Sequence, residues 1–305
     1  MREAFIKTIL QAAKEDRNVE LLTADLGFGI LNSFWEECPD QFLNVGIAEQ
    51  NMTSIAAGMA LEGKTVFTYS IGNFPTLRCL EQIRNDCAIH NANVKIVCVG
   101  GGYAYGALGA SHHATEDLAV MRSLPNISVF APADAPEAEA VAKAVLNHPG
   151  TCYIRLGRGG EPNVRASLPD FRIGKAIPIR TGSRVALFST GDICEEVISS
   201  ADALRIYGIE PTLYTFPTVK PIDRETIQTC SASHELIVTV EEHNLSGGFG
   251  SAVAEVMAAC PGKARLLSVG IPDTYFSVTG DRQYLRRISG IDRDSILHRI
   301  LEALP

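Results

Sequence analysis

The 305-residue sequence predicts an α/β protein built from two doubly wound domains. Short apolar runs alternate with amphipathic segments along the chain, which is the pattern of mostly parallel strands connected by helices. The alternation stops once, between residues 158 and 183, in a stretch rich in Gly, Pro and Arg, and then restarts. Such a composition is typical of a linker. We therefore predict a first domain over 1–170, a linker over 171–183 and a smaller domain over 184–305.

The strands of the first domain are predicted from apolar or β-branched runs bounded by turn residues. These runs are VELLTADL (19–26), FLNVG (42–46), KTVFTYS (64–70), NVKIVCVG (93–100), ISVFAPA (127–133) and CYIRLG (152–157). The clearest helix follows residue 133, with Asp134 as a candidate cap and Pro136 in the first turn.

The second domain repeats the alternation of strand and helix. Strands are predicted over 185–190, 211–216, 235–243 and 265–270, and helices over 193–207, 223–231 and 248–259. A last amphipathic helix has either Asp292 or Asp294 as its cap.

Composition excludes several classes of protein. The net charge of −8 argues against a nucleic-acid binder, and the absence of any run of about 18 apolar residues argues against a membrane span. The eight cysteines are scattered without a C-x-x-C pair, so neither a zinc site nor a disulfide framework is indicated. The first residues are amphipathic and do not have the pattern of a secretory signal. We expect a cytoplasmic protein with reduced thiols.

Loops at the carboxyl ends of parallel strands bind ligands in such folds, and one of them places Glu49 at the mouth of a helix of small residues. A carboxylate in the first turn of a helix is often only a favourable partner for the helix dipole. The small residues that follow, however, allow another chain to approach closely. A carboxylate shielded there could share a proton with a ligand nitrogen.

A second loop, VGGGYAYGALGASHHATED (99–117), combines five glycines with the adjacent pair His112 and His113. Neighbouring imidazoles do not readily chelate one metal ion, and no further ligand completes a site. Acid–base chemistry or hydrogen bonding to a substrate fits the pair better, although either histidine could be a satisfied structural residue.

Arginines and aromatic residues complete the set of candidates. Arg155 lies within the strand YIRLG and Arg158 in the loop beyond it, where it could anchor a phosphate or pair with the linker. Tyr69 and Phe74 lie in or just past another strand, where an aromatic ring can either pack in the core or stack on a planar ligand.

Several of these motifs occur together in one enzyme family. GIAEQNM, EQIRND, GALGASHH and IRLGR resemble the carboxy-terminal half of transketolase, in the form split into two polypeptides. FPTVKPID and VTVEEHNLSGGFGSAVAEV resemble the final domain that transketolases share with deoxyxylulose-phosphate synthases and 2-oxo-acid dehydrogenase β subunits. The resemblance covers nearly the whole chain.

The resemblance implies a thiamine-diphosphate enzyme that transfers a two-carbon ketol unit from a ketose, or ketose phosphate, to an aldehyde. Glu49 would hydrogen-bond N1′ of the aminopyrimidine and so promote loss of the thiazolium C2 proton. His112 would exchange protons with substrate oxygens, with His113 beside it, and Arg158 would bind a sugar phosphate. The remaining cofactor contacts would be Asp25 and one of the aromatic residues, Tyr69 or Phe74.

The family's diphosphate and metal motif, G-D-G followed by N-N, is absent from this sequence. The resemblance therefore implies an amino-terminal partner subunit that carries this motif and the Mg²⁺ or Ca²⁺ ion. The expected assembly is an α2β2 heterotetramer with active sites between chains.

One departure from the family pattern lies in the histidine loop. Leu108 stands where many transketolases that act on ketose phosphates have an acidic residue, and glycines replace a further histidine at the loop's start. Both differences indicate a modified, less polar sugar substrate. Two alternatives stay open on the sequence alone: the β subunit of a 2-oxo-acid decarboxylase or dehydrogenase complex, and a non-catalytic partner subunit.

Overall fold

The computed structural model describes residues 1–166, 168, 170–260 and 262–304. Positions 167 and 169, which fall in the predicted Gly- and Pro-rich break, lie outside the described residues, as do positions 261 and 305. Within this part of the chain, no helix is both long and apolar enough to cross a bilayer.

The first domain contains six parallel strands in the order β2-β1-β3-β4-β6-β5. The strands are β1 (Val19–Thr23), β2 (Phe42–Asn44), β3 (Thr65–Ile71), β4 (Val94–Val99), β5 (Ile127–Phe130) and β6 (Thr151–Leu156). The helices are α1 (Arg2–Glu15), α2 (Asn32–Glu37), α3 (Glu49–Leu61), α4 (Leu80–Gln82, continued by a π-helical stretch Ile83–Ala88), α5 (Asp117–Ser123) and α6 (Ala135–Leu146). Asp134 caps α6 as predicted, because its carboxylate accepts the Glu137 amide at 2.9 Å.

The second domain has a five-stranded sheet in the order β12-β11-β8-β9-β7, with β7 antiparallel to its neighbour. Its strands are β7 (Ile177–Arg180), β8 (Val185–Ser189), β9 (Thr212–Thr215), β11 (Leu236–Asn244) and β12 (Arg265–Ile271). Its helices are α7 (Cys194–Leu204), α8 (Arg224–Ser233), α9 (Phe249–Ala259), α10 (Arg282–Ile288) and α11 (Arg293–Ala303). Asp292, not Asp294, caps α11 by accepting the Ser295 amide at 3.3 Å.

Two strands depart from the division drawn from composition. β7 lies inside the predicted linker and pairs with the second sheet, so this part of the linker is ordered by that domain. A three-residue strand, β10 (Thr218–Lys220), leaves the second domain and pairs antiparallel with β5 at the edge of the first sheet. Both segments are too short to show a period-two pattern, and their positions depend on partners distant in sequence.

The two domains share a continuous interior. One cluster of buried apolar residues runs from the α3 side of the first sheet to the second domain, where it includes Phe188, Phe216 and Phe249. The opposite face of the first sheet packs separately against α1 and α6. The loops at the carboxyl edge of the first sheet are therefore held between two packed bodies.

Candidate active site

The carboxyl ends of the strands in the first sheet bring the predicted site residues to one edge. Glu49 begins α3 just after β2, and Phe74 lies in the turn after β3. The loop with His112 follows β4, and Arg158 follows β6. Ligand sites in open parallel sheets form at this edge, so the topology agrees with the predicted location.

Glu49 is buried, with only 4% of its surface exposed. Thr53, one turn later, donates its hydroxyl to the Glu49 carbonyl at 3.0 Å and fixes the first turn of the helix. Among the described residues no donor hydrogen-bonds the Glu49 carboxylate, and its one ion pair is with Arg78 at 3.8 Å. Because the Arg78 side chain is half exposed, this ion pair is weakened by solvent. The carboxylate is thus shielded from water yet has free acceptor positions for a ligand N–H.

Arg78 links Glu49 to an aromatic pair. Its guanidinium lies 5.2 Å from the centre of the Phe74 ring, in cation–π geometry. The Phe74 ring in turn meets the His112 imidazole edge to face, with the ring centres 5.3 Å apart. Glu49, Phe74 and His112 therefore belong to one connected group, although 63 positions separate the first from the last.

The turn after β3 also holds the backbone of the histidine loop. Gly72 adopts φ +48°, and a methyl group at its Cα would lie 3.2 Å from the His112 carbonyl oxygen. Asn73 donates its side-chain amide to the His113 carbonyl at 2.5 Å. A residue with a larger side chain than glycine would push the loop away at this point.

The two adjacent histidines have different environments. His112 is half buried, and its Nδ1 lies 3.1 Å from the Ser111 hydroxyl. His113 is buried at 5% exposure, with its ring edge to face with Tyr103 at 5.1 Å. Burial lowers the pKa of His113, so its imidazole is neutral at physiological pH. The accessible histidine of the pair is His112.

The two aromatic candidates lie on different faces of the sheet. Tyr69 is 2% exposed and packs with Phe67 and Leu31 on the α1 side, whereas Phe74 lies beside His112. Burial raises the pKa of Tyr69 to about 12, so its phenol stays protonated. Of the two rings, Phe74 is the one placed next to Glu49 and His112.

Asp25 lies at the end of β1 with a left-handed φ of +54°. Its backbone amide donates to the Asn44 side chain at 2.9 Å, and Asn44 donates back to the Asp25 carboxylate at 3.3 Å. This reciprocal pair joins the ends of β1 and β2 and holds Asp25 at the sheet edge that precedes Glu49.

The two arginines of the strand β6 region have separate environments. Arg158 is exposed, and its guanidinium lies 5.2 Å from the centre of the Tyr105 ring. Arg155 is buried and pairs with Asp117 at 2.9 Å, while its Nη2 donates to the carbonyls of Ala114 and Glu242, both at 2.8 Å. Arg155 therefore joins the histidine loop to the second domain, and Arg158 is free to face a ligand.

Three contributors were not found by sequence reasoning: Arg78, Asn73 and the joining role of Arg155. Arg78 precedes the EQIRND motif by a few residues, and Asn73 sits in the irregular segment SIGNFPT, but neither position carries a period or a cap signal. Within the described residues, no group of three His, Cys, Asp or Glu side chains is arranged to hold a metal ion.

Comparison with known proteins agrees with this geometry. The pattern of the family described as "Transketolase, pyrimidine binding domain" matches residues 1–162, and that described as "Transketolase, C-terminal domain" matches residues 174–296. The chain belongs to the transketolase family. Membership implies dependence on thiamine diphosphate, and it confirms the predicted fold of two α/β domains.

Individual transketolase relatives match over almost their full length. One of the two chains of the apulose-4-phosphate transketolase of Phocaeicola vulgatus is 35% identical over 303 residues, which cover 99% of this chain and 96% of that protein. A 6-deoxy-6-sulfo-D-fructose transketolase subunit of a Clostridium species is 32% identical, with 99% and 94% covered.

A solved structure of a split-gene transketolase, an inactive β4 tetramer, superposes with a TM-score of 0.89 at 34% identity, covering 99% of this chain and 97% of that one. These transketolase relatives confirm the prediction of a ketol-transferring transketolase subunit over the 2-oxo-acid β subunit.

Proposed function

We propose that this transketolase chain is the pyrimidine-binding subunit of a two-subunit enzyme that moves a two-carbon ketol unit from a ketose phosphate to an aldehyde. The observation that carries the proposal is the Glu49 carboxylate, buried and without a hydrogen-bond donor among the described residues, beside Phe74 and His112. A carboxylate left in this state is costly unless a ligand completes it.

The residues present fit the pyrimidine end of thiamine diphosphate. Glu49 would hydrogen-bond the ring nitrogen N1′ and hold the proton there, and the face of Phe74 would stack against the ring, with Asp25 at the adjoining strand end. When bound, the cofactor supplies the carbon–carbon chemistry, as an electron sink at the thiazolium. Burial of Glu49 keeps water from competing for its hydrogen bond.

The substrate side of the site falls to the loops after β4 and β6. His112 is placed to donate or accept a proton at a substrate oxygen, and the burial of His113 favours His112 for that contact. Arg158 extends its exposed guanidinium toward the position of a sugar phosphate, a charge-assisted partner.

A partner subunit would complete the site with the diphosphate and metal motif that this sequence lacks. It would hold the Mg²⁺ or Ca²⁺ ion, and two copies of each chain would form an α2β2 heterotetramer. Exposed apolar side chains support an interface beside the site: Ile47 is 80% exposed, and Phe28 and Leu108 are exposed as well. Relatives named as single subunits of a transketolase agree with such a division.

Leu108 is relevant to the choice of substrate. It lies at the tip of the histidine loop and is 56% exposed, so an apolar side chain faces the space around His112. Such a side chain offers no hydrogen bond to a sugar hydroxyl. A branched or otherwise modified sugar fits this loop, in keeping with relatives named for apulose 4-phosphate and 6-deoxy-6-sulfofructose.

The experiment is reconstitution of the chain with its amino-terminal partner. Thiamine diphosphate should bind the mixture and neither chain alone. The mixture should then transfer the two-carbon unit of hydroxypyruvate to glycolaldehyde, and pyruvate should not serve as donor. Preference for pyruvate would favour the 2-oxo-acid reaction, and turnover by the partner without this chain would make the chain non-catalytic.

A further inference from the structure

The histidine loop, residues 102–114, is closed at its base by a pair of backbone hydrogen bonds. The Gly102 amide donates to the Ala114 carbonyl at 2.8 Å, and the Ala114 amide donates back at 3.0 Å. Between these residues the chain makes two short 3₁₀ turns, the second of which ends at His112. The position of His112 therefore depends on what supports the loop between its two ends.

Tyr103 attaches the start of the loop to the second domain. Its hydroxyl lies 2.9 Å from the Ser289 hydroxyl, and its backbone amide donates to the Glu242 carboxylate at 2.6 Å. Its ring lies edge to face with Phe276 of the second domain at 6.3 Å, and with His113 at 5.1 Å on the other side. The side chain is 1% exposed, so these contacts are made away from solvent.

The middle of the loop rests on the same part of the second domain. A methyl group built on Gly106 would lie 2.4 Å from Leu285 Cδ1 and 2.8 Å from the Gly280 carbonyl oxygen. One built on Gly109 would lie 3.4 Å from the Thr279 methyl carbon. The loop backbone thus lies directly on the segment 276–289, with no side chain between them at Gly106.

On the other side, the first domain holds the end of the loop at the turn formed by Gly72 and Asn73. The loop is therefore fixed between this turn, which also carries Phe74, and the second domain. A displacement of the segment beneath Gly106 would change the distance from His112 to Phe74.

We propose that Leu285 and Ser289 of the second domain are positioning residues for His112. On this proposal, which rests on the function proposed above, the second domain contributes to ketol transfer through the histidine loop without touching the substrate. Leu285 supports Gly106, and Ser289 fixes Tyr103 through its hydroxyl.

The test compares Leu285→Ala with Leu204→Ala. Both leucines are fully buried in the same apolar cluster of the second domain, but Leu204 lies in α7 and is not among the residues beneath Gly106. The two variants should lose similar thermal stability. Only Leu285→Ala should speed amide hydrogen exchange of residues 102–114 in the isolated chain, by about tenfold, through local opening.

In the reconstituted enzyme, Leu285→Ala should lower kcat/KM for hydroxypyruvate and glycolaldehyde about tenfold, because small misplacements of a catalytic group are costly. Thiamine diphosphate affinity should stay unchanged, and Leu204→Ala should keep wild-type kinetics. A second matched pair guards against misfolding: Ser289→Ala and Ser200→Ala each remove one buried hydroxyl, that of Ser200 being bonded within α7 and to the Arg293 carbonyl.

Equal exchange and equal kinetics within both matched pairs would overturn the proposal. If the wild-type mixture shows no ketol transfer, the proposed function fails, and the exchange measurement on the isolated chain still decides whether Leu285 and Ser289 hold the loop.

Discussion

The edge of the Phe74 ring meets the His112 imidazole with 5.3 Å between ring centres. This contact joins the turn after β3 to the loop after β4, at the sheet edge where Glu49 begins its helix. The proposed cofactor-stacking residue and the proposed substrate-binding residue are therefore in direct contact. A change at either one is expected to be felt at the other.

The first prediction concerns the proton role of Glu49. Glu49→Gln keeps the size of the side chain but removes the charge that would hold a proton at N1′. Turnover of the reconstituted enzyme should fall by roughly 10²–10⁴-fold, the usual contribution of a positioned acid–base group. Steady-state kinetics with hydroxypyruvate measure this, and gel filtration should show that the subunits still associate.

Glu62→Gln is the matched control for Glu49, because Glu62 is exposed at the other end of the same helix. It should leave turnover unchanged. Near-normal turnover of the Glu49 variant would remove the proposed proton role.

The second prediction distinguishes the two aromatic candidates. Phe74→Leu should weaken thiamine diphosphate binding by roughly tenfold, since one aromatic contact is worth about 0.5–1.5 kcal/mol. Tyr69→Phe should leave the affinity unchanged, because Tyr69 is buried on the other face of the sheet. Titration of the reconstituted enzyme with the cofactor checks both, and the opposite ranking would assign the stacking role to Tyr69.

The sequence predicts the strands of both sheets well, because fully buried parallel strands are continuous apolar runs such as KIVCVG. It does not predict β10, three residues whose position depends on pairing with β5 of the other domain. The short helix α10 is also absent from the predicted elements. Two of its basic residues, Arg282 and Arg286, are held by carboxylates far away in sequence, which no local pattern can show.

The candidate site divides in the same way. Glu49 and His112 were found because their motifs are contiguous in sequence and resemble a known family. Arg78 and Asn73 act through contacts across the sheet edge, with Glu49 and with the His113 carbonyl, and have no sequence signal of their own. The separation of His112 from His113 likewise comes from packing against Tyr103, which adjacency in sequence cannot reveal.

The third prediction concerns the role of Arg158 in phosphate binding. Arg158→Gln should raise KM for a ketose phosphate donor by roughly tenfold or more, as expected for loss of a charge-assisted hydrogen bond worth about 1.5–3 kcal/mol. KM for hydroxypyruvate, which has no phosphate, should not change. Arg172→Gln removes an equally exposed arginine of the linker and should affect neither donor. An equal rise of KM for both donors would contradict a phosphate contact.

The fourth prediction concerns the buried ion network between the domains. The Glu242 carboxylate accepts from Arg282 at 2.9 and 3.0 Å and from Arg286 at 2.5 Å. Glu242→Gln leaves these guanidinium groups short of a charge partner and should cost about 3–5 kcal/mol of the unfolding free energy. Glu195→Gln, at the partly exposed rim of the same network, should cost about 1 kcal/mol or less.

Chemical denaturation measures both changes, and similar losses in the two variants would contradict the distinction. The arginines also hold the pKa of Glu242 and that of Asp192 below their usual values. The stabilisation is therefore complete above the ordinary carboxyl pKa and is lost as the pH falls through the lowered values in the folded protein.

The fifth prediction follows from the buried, neutral state of His113. Burial lowers its pKa in the folded chain, against the opposing effect of the Gly106 carbonyl and the nearby carboxylates of Glu116 and Glu242. Between the lowered value and about 6.5, the unfolded chain binds a proton that the folded chain does not. Stability therefore falls as the pH drops through this window, by at most about 1.4 kcal/mol per pH unit for one such group.

His113→Gln removes this titration and should flatten the dependence of unfolding free energy on pH between pH 7.5 and 5.5, a range set about one unit either side of the reference histidine pKa of roughly 6.5. Part of the slope should persist, because burial also lowers the pKa of His148 and His234. Adding His234→Gln should flatten it further, which urea titrations at several pH values can resolve. Parallel curves for the wild type and His113→Gln would show that the folded loop accepts a proton at His113 as readily as the unfolded chain does.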